Sequence, residues 1–201
     1  MIKSRWAKPV LFLLCSIPFV LLVWNLFQNN LGANPVETLT HETGEWALRM
    51  LLLTLAVSPL RQWSGVAAFV RFRRMLGLFS YFYVCCHFLV WFLFDHSLDV
   101  ADMFEDVIER PYITLGFCGF LLMAPLAITS NQAMIRRLGR RWNRLHRLVY
   151  PIAILAVLHF LWLVKADYLE PGIYAAVLLL LLIHRVDPLK RISVKSYRLA
   201  D

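Results

Sequence analysis

The sequence predicts an all-α protein: a polytopic membrane bundle of six transmembrane helices with both termini cytoplasmic, forming a single domain over 1–201. Three observations carry that expectation. The 201 residues are 60% hydrophobic with a mean hydropathy of +0.61, well above a soluble domain. Long apolar stretches recur near 9–27, 44–62, 75–94, 112–130, 148–166 and 170–186, each long enough to cross a hydrocarbon core of about 30 Å. The charges between those stretches also alternate in sign.

The first stretch follows a basic start, MIKSRWAK. Its apolar run is long and has no small-residue cleavage site, so it reads as an uncleaved helix. The second holds Arg49, the only strongly basic residue deep within it. The third, MLGLFSYFYVCCHFLVWFLF, holds His87. The loop SLDVADMFEDVIERP has Val100, Met103, Phe104, Val107 and Ile108 on one face and acids on the other, which suits a short interfacial helix or a docking surface. After the fourth stretch, AMIRRLGRRWNRLHRLV repeats Met134, Leu138, Trp142, Leu145 and Val149 at helical spacing among arginines. That predicts one amphipathic helix on the anionic inner leaflet of the lipid bilayer. The fifth stretch, LVYPIAILAVLHFLWLV, holds His159, and the sixth ends at the basic tail. All seven tryptophans fall near predicted helix ends, as an aromatic belt requires. No internal repeat or low-complexity stretch stands out.

Charge sets the orientation. The amino terminus, the 2–3 loop, the 4–5 loop and the tail hold 18 of the 21 Lys and Arg residues, while the other three loops hold 11 of the 13 acids. Basic residues stay on the cytoplasmic side, so the acidic loops face out, into the periplasm of a Gram-negative cell. The expected location is the bacterial inner membrane. The formal charge of +8 would suit a nucleic-acid protein, but this distribution follows membrane topology and excludes that partner. Cys15, Cys85, Cys86 and Cys118 all sit in apolar segments and read as small buried hydrophobes, without disulfides or a covalent haem motif.

Two histidines carry the chemistry. His87 lies thirteen residues after Arg74 and His159 twelve after Arg147, on segments that both run outward. At about 1.5 Å per residue, both sit roughly 18–20 Å from the inner edge. An imidazole in lipid needs a partner. A haem iron taking one axial nitrogen from each helix serves both; the plainer alternative is a pair of histidines hydrogen-bonded to neighbouring helices. His146 lies thirteen residues before His159. It is either a ligand of a second haem, an electron conductor, or a surface histidine in a basic loop. Counting back the same distance from His87 reaches Arg74, not histidine, and on a straight helix thirteen residues turn a side chain about 140° away. Pro151 is placed to realign it. Arg49 lies near the expected haem depth and suits a propionate or snorkelling to the outer surface. His41 reads as exposed, and His96 and His184 as ordinary interfacial residues. The chain contains no G-x-G-x-x-G, Walker A or C-x-x-C motif, so it has no nicotinamide or FAD domain of its own.

LGANPVETLTHETG, RRMLGL, RPYITLG, TSNQAMIRRLGRRWNRLHRLVY and HFLWLVK, taken in order, resemble the MsrQ family. These are haem-binding membrane subunits of the bacterial methionine sulfoxide reductase system, within the ferric-reductase-like transmembrane superfamily. The resemblance implies a b-type haem between helices 3 and 5, with His87 and His159 at ligand positions and His146 at a further family histidine. It implies FMN as a second cofactor, with no residues here to place it. Electrons would come from the quinol pool or a cytosolic flavin reductase. They would pass to a periplasmic molybdenum-containing methionine sulfoxide reductase. The competing expectations are a ferric or oxygen reductase, disfavoured by the missing nicotinamide domain, and a non-haem scaffold or transporter using the paired histidines.

Overall fold

The computed structural model describes residues 6–186, and within them all regular structure is helical. Lys3, Arg5, Lys190, Arg191, Lys195 and Arg198, which enter the charge reading, lie outside the described residues. The order is α1 (Ala7–Phe27), α2 (Pro35–Ser64), α3 (Val70–Val90), α4 (Val100–Glu109), α5 (Pro111–Ile128), α6 (Gln132–Leu138), α7 (Arg140–Leu145), α8 (Val149–Leu163) and α9 (Leu169–Val186). A π-helical turn, Trp91–Asp95, extends α3, and 3-10 turns lead into α3 and α8. Among the described residues four stretches are long and apolar enough to cross a membrane: Ala7–Phe27, Ala67–Asp95, Pro111–Ile128 and Arg140–Leu163.

α2 is the centre of the bundle. It packs chiefly against α3, while α5 packs chiefly against α8. Leu48, Leu51, Leu52 and Leu55 of α2 meet Met123 and Leu126 of α5, Ile152, Ala153 and Val157 of α8, and Leu178 of α9 in one core. A second core joins α1, α2 and α3 through Cys15, Met50, Val57, Leu76 and Tyr83. The outside is apolar as well: Phe12, Leu13, Leu14, Val20 and Leu21 of α1 all face outward. A soluble bundle would place polar side chains there; hydrocarbon is the solvent that suits them.

Several polar groups inside the bundle are paired. Ser80 Oγ donates to Ala47 O at 2.8 Å, joining α3 to α2. The Tyr83 hydroxyl donates to Cys15 O at 2.8 Å and accepts from Phe19 N at 3.1 Å. It thus occupies a rung of α1 beside Pro18, tying that peripheral helix to α3.

Three sequence expectations change. The second helix begins nine residues before position 44, because Asn34 accepts a hydrogen bond from Glu37 N and Pro35 occupies the first turn. Thr40, His41 and Gly44 are therefore helical. The single amphipathic inner helix is two short ones, because Gly139 adopts φ 49°, ψ −120° between α6 and α7. Cys118 is exposed on the outer surface of the bundle. The short helix expected near 100–109 is present, capped by Asp99, which accepts from Ala101 N and Asp102 N.

Candidate functional site

Between α2, α3, α5 and α8 lies a cavity of about 270 Å³ that is open at one end. Its walls are largely apolar, including Leu48, Leu51, Val84, Phe88, Phe120, Met123 and Ile152. His87 enters from α3 and His159 from α8, with ring centroids 6.2 Å apart and planes at 79°.

Each ring is held from behind. His87 Nδ1 lies 2.9 Å from Thr40 O, and His159 Nδ1 lies 2.7 Å from Tyr112 O. A carbonyl only accepts, so both Nδ1 atoms carry the hydrogen and both Nε2 atoms keep a lone pair. The backbone comes this close because glycine faces each ring. A Cβ on Gly44 would stand 3.1 Å from His87 Nδ1, and one on Gly116 would stand 2.9 Å from His159 Nδ1. Each histidine lies 47 residues beyond its carbonyl. Carbonyl, glycine and histidine then recur with one offset of 72 residues: 40, 44 and 87 on α2 and α3, and 112, 116 and 159 on α5 and α8. The two helix pairs are repeats of one histidine cradle.

The donor set fits a bis-histidine iron. With metal–nitrogen bonds of about 2 Å on each side and ring radii of about 1.1 Å, centroids in such a pair stand about 6 Å apart. Two neutral imidazoles are the axial ligands such an iron takes. The flat apolar walls suit a porphyrin, and the open mouth suits its carboxylates. Among the described residues no group of three or more His, Cys, Asp or Glu is arranged to hold a bare metal ion.

The other predicted residues sit elsewhere. His146 precedes α8, and its Nε2 lies 3.1 Å from the Thr129 hydroxyl. The Trp142 indole stacks on it at 3.8 Å and donates to Thr129 O at 3.0 Å. His146 therefore packs into the α5–α8 turn and does not line the cavity. Arg49 is held by other side chains of the bundle. Its guanidinium is engaged by Glu45, by Tyr174 Oη at 2.8 Å and by Glu170 at 3.7 Å, lies over Trp46, and does not line the cavity. Glu45 and Glu170 are its carboxylate partners. His41, expected to be exposed, is so and stands at the mouth. His184 bonds Gln62.

Sequence reasoning missed four things. Gly44 and Gly116 hold the cradle open, and the equal Gly-to-His spacing was the readable signal. The Thr40 and Tyr112 carbonyls leave no trace in residue type. Arg110 lines the mouth. His96 is buried, with Nδ1 at 2.6 Å from Asp102, Nε2 at 3.3 Å from Asp106 and its ring 4.5 Å from that of Trp91.

Residues 43–157 match the family described as ferric reductase like transmembrane component. That stretch includes Gly44, His87, Gly116 and His146 and stops two residues before His159. The chain is 50% identical over 186 residues to the protein-methionine-sulfoxide reductase heme-binding subunit MsrQ of Xanthomonas axonopodis pv. citri, covering 90% of this chain and 85% of the relative. It is 49% identical over 195 residues to that of Xanthomonas campestris pv. campestris, covering 94% and 88%. With that of Bordetella pertussis it shares 51% over 181 residues, covering 89% and 88%.

Proposed function

The chain belongs to the MsrQ family of ferric-reductase-like transmembrane proteins, and from that premise we propose that it is the membrane electron-transfer subunit of a methionine sulfoxide reductase system. In this reading His87 and His159 hold one b-type haem, which supplies a one-electron carrier within the bilayer. The observation that carries it is the pair of imidazoles 6.2 Å apart, each fixed by a backbone carbonyl and each with Nε2 unblocked. The chain's own contribution is orientation and exclusion of water. The carbonyls set tautomer and ring plane, the glycines admit them, and the apolar walls keep the site at low dielectric.

The subunit then passes electrons from the quinol pool, or from a cytosolic reduced flavin, to a periplasmic molybdenum-containing reductase that repairs oxidised methionines. It relays electrons and leaves sulfoxide chemistry to its partner. Six spans in the inner membrane, both termini cytoplasmic, complete the reading. α2 and α9 join the four more apolar stretches because α2 is shielded by its neighbours and α9 is bounded by Glu170 and Arg185. His146 serves the inner half of the path, as a conductor or a ligand of a second haem. Arg49 braces the outer rim through Glu45, which lines the cavity. FMN belongs to the reading through family resemblance, with no residues assigned to it.

The position of the cavity's mouth supports this direction. It opens beside Asp95 and α4, where Asp99, Asp102, Glu105 and Glu109 are exposed. A soluble acceptor reaches the site from that side, and the acids steer a basic patch toward it. The test uses reduced protein in oriented vesicles, with purified partner and its oxidised substrate added to one face. Reoxidation is expected from the periplasmic face alone and should weaken about tenfold as salt rises from roughly 50 mM to roughly 500 mM. Equal reoxidation from both faces, or from neither, defeats the relay reading.

A further inference from the structure

The outer mouth of the cavity is a mixed rim. Four ionisable side chains other than the ligands and Tyr112 line it: His41, Glu45, Asp95 and Arg110. Glu45 is already paired with Arg49. Asp95 presents a carboxylate. Arg110 is the one Lys or Arg among the described lining residues.

Its place is built by the backbone. Arg110 is extended, φ −111° and ψ 99°, as the single residue between α4 and Pro111 of α5. Residues before proline are driven to that conformation, which turns the chain at the rim. Its Nε forms an ion pair with Asp106 Oδ1 at 2.7 Å. Asp106 is buried, and its other oxygen lies 3.3 Å from His96 Nε2; His96 Nδ1 in turn bonds Asp102 at 2.6 Å. The Tyr112 hydroxyl, then Asp106, hold the guanidinium in its charged form and raise its pKa. Tyr112 is the residue whose carbonyl fixes His159. A chain of contacts thus runs from Asp102 through His96 and Asp106 to Arg110, and only Pro111 separates Arg110 from Tyr112, whose carbonyl meets His159.

A porphyrin seated in an apolar cavity keeps its two carboxylates toward the opening. Asp95 repels them, and Glu45 is already compensated by Arg49. Arg110 retains Nη donors after Nε is taken, and a guanidinium suits a carboxylate better than any other side chain. We propose that Arg110 receives a propionate of the bound porphyrin and thereby sets which edge of the macrocycle faces out. Asp106 and His96 are positioning residues that aim it. This rests on the bis-histidine haem reading above.

The test separates the two. Full-length apoprotein in detergent is titrated with haem b and with its dimethyl ester, whose carboxylates are masked. The variants are wild type, Arg110→Gln, Arg110→Lys and Asp106→Asn. Arg110→Gln should weaken haem b about tenfold while leaving the ester within about twofold, and Arg110→Lys should recover part of the loss. Asp106→Asn should show the same selectivity at about threefold. Equal loss for both porphyrins marks Arg110 as merely structural, and no loss for either gives it no role; both outcomes overturn the proposal. Wild type that takes up neither porphyrin overturns the haem reading itself.

Discussion

Two levels of this bundle hold histidine, and they are built differently. At the outer level His87 and His159 face each other, each with a carbonyl behind Nδ1 and a glycine beside the ring. At the inner level His146 stands without a second histidine beside it among the described residues. Its Nε2 is taken by Thr129 and its ring by Trp142. The 72-residue offset that matches His87 to His159 matches Arg74 to His146. The two helix pairs are alike at the level where both carry histidine and differ where one carries arginine. In the haem reading proposed above, what decides a ligand pair is less the presence of histidine than the cradle around it: a carbonyl to set the tautomer, a glycine to admit the ring and an Nε2 left open.

The largest test of that contrast removes the ligands. His87→Ala and His159→Ala should each abolish the low-spin haem spectrum, because loss of one axial nitrogen opens the coordination shell. A smaller effect comes from closing the cradle. Gly116→Ala puts a Cβ 2.9 Å from His159 Nδ1, so the ring must shift. Overpacking of this kind costs about 1–3 kcal/mol, or roughly tenfold in haem affinity by titration. Gly44→Ala places its Cβ at 3.1 Å and should weaken binding about threefold, with the protein still folded by circular dichroism. The smallest effect on the outer haem belongs to the inner level. His146→Ala should leave its low-spin bands within about twofold of wild type while slowing reduction from the cytoplasmic side. If Gly116→Ala and Gly44→Ala bind as wild type does, the repeated cradle has no bearing on the site.

The sequence made the outer pair legible because depth is countable. Fixed helical rise and a basic flank place His87 and His159 at one level before any coordinates. Helix existence was legible for the same reason, since apolar length is a bulk property. The rest depended on contacts that residue type does not announce. Gly44 and Gly116 look like any small residue in a membrane helix until a ring is found against them. His96 looked interfacial because its two carboxylates, Asp102 and Asp106, become neighbours only once α4 forms and turns them toward the ring. For Arg49 the sequence offered a propionate or the outer surface, because two of its partners, Tyr174 and Glu170, lie over 120 residues away on α9. Gly139 broke the expected inner helix through its positive φ, a conformation the amphipathic period does not encode.

The most direct measurement asks whether the imidazole at 159 ligates or merely packs. His159→Gly, purified as the full chain and loaded with haem, is titrated with free imidazole while its visible and electron paramagnetic spectra are followed. The variant alone should be high-spin, and added imidazole should restore the bis-imidazole low-spin signal, as it should in His87→Gly. A normal low-spin spectrum in His159→Gly without imidazole, together with complete haem loss in His146→Ala, would contradict the ligand pair.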